Sequence, residues 1–146
     1  MKTTESRVFS PDEANRMLPL VRVIVRDIRD TFHRYSETKN ALGKLRREEV
    51  DEDGDGRSED HEDRSASLER QVQEQSAELK TLVRELSELG VLIKDPVEGI
   101  VNFPFRRDDE AAFLCWKDGE EKVSAWHGVE ESWASRRPLE SAAPTS

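Results

Sequence analysis

A chain of 146 residues suits one domain, and with 34% hydrophobic against 38% charged residues its core must be lean and confined to one side of each element. No apolar run approaches the roughly 20 residues of a membrane span, the opening MKTTESRVFS lacks the apolar stretch of a secretory signal, and a single cysteine, Cys115, excludes an internal disulfide. The formal net charge of -9 falls wholly in residues 48–63, which hold ten carboxylates and one arginine, so the neutral remainder offers no basic face to nucleic acid. A cytoplasmic protein that binds neither membrane nor nucleic acid is expected.

Ser10-Pro11-Asp12-Glu13 predicts a helix start, with Ser10 as cap, Pro11 in the first turn and Glu13 completing a capping box. Pro19 is expected to kink or restart the helix, because it cannot donate to the preceding turn. Leu18, Val21, Val25, Ile28, Phe32, Tyr35 and Leu42 then recur at spacings of 3 and 4, with Lys39 as the polar interruption, and this is the seam of a coiled coil. Arg22, Arg26 and Arg29, with Asp27 and Asp30 among them, read as a solvated outer face.

Residues 48–64 form an acidic connector. Beyond it Leu68, Val72, Gln75, Leu79, Leu82, Leu86 and Leu89 repeat the stripe and end at Gly90, the favoured C-cap. Helices over 18–42 and 68–89 therefore fold back on each other as an antiparallel hairpin. Met17, Leu20 and Ile24 near the start of one helix, and Val83, Val91 and Leu92 near the end of the other, widen the apolar face at the same end.

Residues 91–127 predict strands in VLIK, IVNFPF, AAFLCW and EKVSAW, separated by DPVEG, RRDDE and KDGE. Lys117-Asp118-Gly119-Glu120 is the clearest hairpin turn, because Asp-Gly tolerates positive φ. The expected fold is α+β in a single domain over residues 1–138. It is a long antiparallel helical hairpin (11–90) with a three- or four-stranded antiparallel β-meander (91–127) at its base, and a disordered tail over 139–146.

Phe9, Glu13-Ala14-Asn15 and Leu18-Pro19 resemble the opening of the bacterial domain-of-unknown-function family numbered 2203. Gly90-Val91-x-Ile93-Lys94-Asp95, Gly99-Ile100-Val101-x-Phe103-Pro104, Leu114-Cys115-Trp116 and Gly119-Glu120 resemble its second half, and Trp126-His127 and Arg137-Pro138-Leu139 close the pattern. The chain departs from the family at Asn102, where Asp is usual, and at Ser132, where Gly is expected before the final Arg. The resemblance covers nearly the whole chain outside the acidic connector. It supports the fold and implies no chemistry, since the family carries no assigned activity.

Two groups of residues point to chemistry. Asp51, Asp53 and Asp55, followed by Gly56 and by Glu62 at the twelfth position, match the oxygen ligands and turn glycine of an EF-hand calcium loop lying between two helices. Ser58 stands at the eighth position, where an EF-hand carries an aliphatic residue, so weak calcium binding competes with a plain solvated connector. No other cofactor is implied.

The second group is Cys115, Trp116, Glu120, Trp126, His127 and Arg137, with Trp133 and Arg136 nearby. Pairing through the 117–120 turn brings Trp116 and Trp126 near each other and sets Cys115 and His127 on the opposite face or at the strand ends. Cys, His and Glu can bind a metal, or His can activate Cys. The competing reading makes Cys115 a small hydrophobe, the tryptophans core and His127 a partner of a carbonyl.

The function expected is a non-enzymatic protein-interaction module that docks a protein partner or a second copy through the helical hairpin. The alternative is a small-molecule or metal-binding protein using the Cys/Trp/His cluster. Calcium at millimolar concentration is expected to give no heat in calorimetric titration. A saturable heat abolished by Asp51→Ala or Glu62→Gln would instead establish the calcium site.

Overall fold

The computed structural model describes residues 7–51 and 59–139, with the side chains of 49–51 and 59 left out of account. In chain order they form α1 (Pro11–Asp51), α2 (Glu59–Glu88), β1 (Leu92–Asp95), β2 (Ile100–Arg107), β3 (Glu110–Lys117), β4 (Ala125–Gly128), a 3-10 turn at Trp133–Ser135 and β5 (Arg137–Pro138). The strands make one antiparallel sheet in the order β1-β2-β3-β4-β5. Among the described residues no helix is long and apolar enough to cross a membrane.

The helices extend beyond the seam that revealed them. The connector expected over 48–64 narrows to residues 52–58, which lie outside the described residues. Tail residues 140–146 also lie outside them, while the Leu139 amide donates to the Ser124 carbonyl at 2.9 Å. The three or four expected strands become five. β5 is two residues long and pairs Pro138 with Ala125 and Arg137 with Trp126, too short a segment for alternation to reveal.

The chain divides into two compact units, Met1–Arg29 with Leu82–Ser146, and Asp30–Thr81. In the first, the sheet unit, the helix start forms as its sequence dictates. Ser10 Oγ accepts from the Glu13 amide at 3.1 Å and Glu13 Oε1 accepts from the Ser10 amide at 2.9 Å, and that backbone bond holds the Glu13 carboxyl below its usual range. α1 runs through Pro19 as one helix and does not restart. Four residues before Pro19, Asn15 grips the sheet: its Oδ1 accepts from the Val123 amide at 2.7 Å and its Nδ2 donates to the Val123 carbonyl at 3.2 Å.

The core of this unit follows from register. Val101 lies opposite Trp116 and Phe103 opposite Leu114, so these four share one sheet face. All are fully buried, as are Val21, Val25 and Ile28 of α1 and Leu86 of α2. Phe9 meets Phe103 edge-on at 5.2 Å, and its amide donates to the Pro104 carbonyl at 2.8 Å.

The reading of Arg22, Arg26 and Arg29 as a solvated face is corrected for Arg22 and Arg29 by their contacts, while Arg26 stays exposed as expected. Arg29 donates from Nε to the Val97 carbonyl at 3.0 Å and from Nη1 to Asp118 Oδ2 at 2.9 Å. Arg26 Nε lies 3.7 Å from the other Asp118 oxygen. Arg22 donates to the carbonyls of Glu120 and Glu121 at 3.2 and 2.6 Å, and its guanidinium lies 5.7 Å from the Trp116 ring centroid. Arg22 and Arg29 face the β1–β2 and β3–β4 turns, whose backbone carbonyls they satisfy.

In the hairpin unit, antiparallel pairing is fixed by cross-helix bonds. Arg46 pairs with Glu69, and Thr31 and Arg34 meet Glu78 at 3.4 and 3.7 Å. Thr31, Leu42 and Leu45 are buried here, whereas Phe32, Tyr35, Leu68, Val72 and Leu79 are only half-buried.

Gly99 ties the turns to α1. Its φ is +75°, and a Cβ there would sit 2.8 Å from both Arg29 Cδ and Asp118 Cβ. Gly99→Ala is expected to lower stability by roughly 2–4 kcal/mol in urea unfolding, from left-handed strain plus the clash. Glu85→Ala on the exposed side of α2 should stay within about 0.5 kcal/mol of the parent.

Candidate functional site

β3 and β4 pair through the 118–124 connection, with Cys115 opposite Ala125, Leu114 opposite Trp126 and Phe113 opposite His127. Paired residues share a face, so Cys115 and His127 lie on one side of the sheet and Trp116 and Trp126 on the other. The six residues singled out in the sequence are thus divided between two faces.

On the Cys115 side, three polar groups are deeply buried. Cys115 is 0% exposed, Asn102, directly opposite it on β2, is 3% exposed, and His127 is 2% exposed. Burial pushes the Cys115 thiol up to about 11, with Arg136 drawing it down and Glu120 pushing it further up. These two charges form an ion pair of 2.7 Å, and Glu120 also accepts from the Lys117 amide at 3.1 Å. The Arg136 guanidinium stacks 3.6 Å from the Trp133 ring centroid, which seats the 3-10 turn beside the pair.

His127 Nδ1 lies 2.8 Å from the Gly128 carbonyl. A carbonyl only accepts, so Nδ1 carries the proton. The ring is tilted against Phe113 at 5.8 Å. His127 is therefore held by its own strand and by an aromatic neighbour, and its bond runs to a carbonyl and not to the thiol. Asn102 Oδ1 has no hydrogen-bond partner. An amide at this position adds no charge to the buried site.

Trp116 and Trp126 have different surroundings on the other face. Trp116 is fully buried and donates from Nε1 to the Glu120 carbonyl at 3.1 Å, fixing the turn that follows β3. Trp126 is half-buried and stands between two guanidiniums, Arg107 and Arg137, each 4.6 Å from its ring centroid. Its Nε1 has no partner. Glu131 organises this corner: it accepts from the Gly128 amide and from Arg137, both at 2.7 Å. These bonds, the backbone one first, hold its carboxyl below the usual range.

A cavity of about 270 Å³ opens beside Trp126, lined also by Arg107, Asp108, Glu110, Ala111, Ala112 and Gly128. Sequence reasoning missed Arg107 and Glu131. Only the β2–β3 register places Arg107 on the Trp126 face, and nothing in the spacing from Glu131 to Arg137 announces their ion pair.

For metals, Asp53 and Asp55 of the EF-hand-like set lie outside the described residues. Asp51 ends α1, and Glu62 lies in the first turns of α2. Among the described residues no group of three His, Cys, Asp or Glu side chains is placed to hold a metal ion.

A family model described as uncharacterized conserved protein, DUF2203, matches residues 7–139. No curated protein and no solved structure matches the chain.

A neutral, buried thiol makes a clear prediction. Cys115 in the folded protein is expected to resist a small alkylating reagent at neutral pH, and to react promptly once urea unfolds the chain. His127→Gln is expected to lower stability by about 1–3 kcal/mol, the cost of a lost buried hydrogen bond. Fast alkylation of folded Cys115 that slows in the His127→Gln variant would establish an activated nucleophile instead.

Proposed function

Since the chain belongs to the DUF2203 family of uncharacterized conserved proteins, we propose from its own geometry that it is a non-enzymatic cytoplasmic interaction module whose hairpin unit docks the helices of a protein partner. The observation that carries this reading is the half-covered seam. Phe32 and Tyr35 on α1, and Leu68, Val72 and Leu79 on α2, keep part of their apolar surface exposed. Covering each square ångström of such surface is worth about 25 cal/mol. A groove of about 380 Å³ over Leu42 and Val72 gives a partner side chain somewhere to enter.

The meander supports the non-enzymatic part. The thiol at about 11 is protonated at neutral pH, and a protonated thiol is a poor nucleophile. The cytoplasmic part rests on a lone, reduced cysteine.

A second reading has its own observation. Trp126 flanked by Arg107 and Arg137 at the mouth of a cavity suits a small anionic molecule, whose charge the guanidiniums would pair.

Hydroxyl-radical footprinting in intact cells tests the docking reading without knowing the partner. Tyr35 and Leu79 are expected to oxidise several-fold more slowly in cells than in dilute purified protein. Equal reactivity in the two settings would overturn it.

A further inference from the structure

We propose that the partner docked by the hairpin unit is a second copy of this chain, related to the first by a two-fold axis parallel to the helices, so that α1 of each copy packs against α2 of the other. The inference rests on the docking reading above and names its occupant.

The groove has walls of opposite charge. On α1 it is lined by Lys39 and Arg46, on α2 by Glu69, with Leu42, Gly43 and Val72 between them. Arg46 and Glu69 already pair within the hairpin, which leaves Lys39 as the free-facing charge of the groove. The contrast continues along each helix. Residues 34–47 of α1 hold five lysines and arginines and a single carboxylate, Glu37, whereas residues 60–78 of α2 hold six carboxylates and two arginines. A surface with one positive and one negative wall complements itself only when a rotation exchanges the walls. A two-fold axis along the groove does so, and an axis across it sets like charge on like. An isologous pair of this kind closes on itself and leaves no surface for further growth.

The bonds within one hairpin fix the levels of the contact. Arg34 is level with Glu78 and Arg46 with Glu69, which places Lys39 level with Glu74. Rotation about an axis parallel to the helices preserves level, so Lys39 of each copy faces Glu74 of the other. Both side chains are exposed in the single chain.

Gly43 is the second, independent observation. It lies inside α1, where glycine is disfavoured relative to alanine. A Cβ at this position would meet only Arg47 Nη1, at an ordinary 3.6 Å. Among the described residues nothing requires the glycine, yet it forms part of the groove. A missing side chain there lets a second helix approach closely. Paired hairpin faces about 30 Å long and two helices wide bury about 1,200 Å² in total, which reaches the size of a specific interface.

Sedimentation velocity on the full chain, from low to high micromolar concentration, tests the proposal. A monomer–dimer equilibrium that weakens with salt is expected. Lys39→Glu and Glu74→Lys should each weaken the dimer roughly tenfold, because symmetry applies each change twice. The double variant should recover most of the loss, and an equimolar mixture of the two single variants should form the heterodimer in preference to either homodimer. Circular dichroism of these surface variants checks that each is folded. Gly43→Leu should leave the fold as stable as the parent, or more so, and abolish the dimer.

A wild-type chain that stays monomeric at every concentration, or a dimer indifferent to the charge exchange and to Gly43→Leu, would overturn the proposal. If the chain is monomeric while Tyr35 is protected in cells, the docking reading stands with another partner and the second copy is excluded. If the chain dimerises while Tyr35 and Leu79 remain reactive in the dimer, the contact lies elsewhere and the second-copy proposal falls, whereas the docking reading falls only if the two residues are also unprotected in cells.

Discussion

Asp118 is where α1 and the two turns of the sheet unit converge. Its side chain is 9% exposed and receives Arg29 at 2.9 Å and Arg26 at 3.7 Å. Its own amide donates to the Gly99 carbonyl at 2.9 Å. A carboxylate this deeply placed must be paired to remain charged. Losing one partner of a buried ion pair costs about 3–5 kcal/mol, and the partly exposed arginines put this pair below that range. Gly99 takes its left-handed conformation because a side chain would occupy the space that Arg29 and Asp118 need. The β3–β4 connection follows from this anchor. Once Asp118 is fixed, Arg22 caps the next two carbonyls and Trp116 closes on the Glu120 carbonyl. That sets the register that places Cys115 and His127 on the same face.

The two sheet faces then acquire different chemistry from the same alternation. On the helix-facing side Val101, Phe103, Leu114 and Trp116 make an apolar core. On the other, Asn102, Cys115 and His127 are buried beside the Glu120–Arg136 pair. Such a pair could serve to activate a thiol if the arginine acted alone. Here the glutamate opposes it and burial outweighs both, so the thiol rises to about 11. The same residue types in a solvated cleft would make a reactive site. Depth keeps this thiol protonated.

Much of this was legible in the residues. The spacing of Val21, Val25 and Ile28 identified the buried stripe of α1, Ser10 and Glu13 its start, and Asp118-Gly119 the turn after β3. The face shared by Cys115 and His127 follows from the longer 118–124 connection, because a tight Asp-Gly hairpin would have set Cys115 on the same face as Trp126. What escaped has a common cause. Arg22 and Arg29 carry the spacing of a solvated helix face, and only tertiary structure reveals that part of the solvent is replaced by carbonyls. Asn15 has the same difficulty, since its bonds to Val123 join residues far apart in sequence. Polar groups that satisfy distant backbone have no period. β5 escaped because two residues cannot alternate. Arg107 and Glu131 escaped because the site at Trp126 depends on strand register and on a loop bond between Glu131 and Arg137.

Composition also explains why the two units differ. With only 34% hydrophobic residues, the chain cannot build two complete cores. The sheet unit takes the fully buried set, with a β-sheet on which Val21, Val25, Ile28 and Leu86 can close. The hairpin unit has two helices and no sheet, and two helices alone shield each seam residue on one side only. Phe32, Tyr35, Val72 and Leu79 are therefore left half-buried by geometry, whatever their rotamers. Cross-helix bonds such as Arg46 to Glu69 fix the register of this pair, but exposed ion pairs contribute little to its stability. Among the described residues this apolar seam stays half-covered, bordered by a basic and an acidic helix and interrupted by Gly43, and it is on this surface that the proposed partner would close.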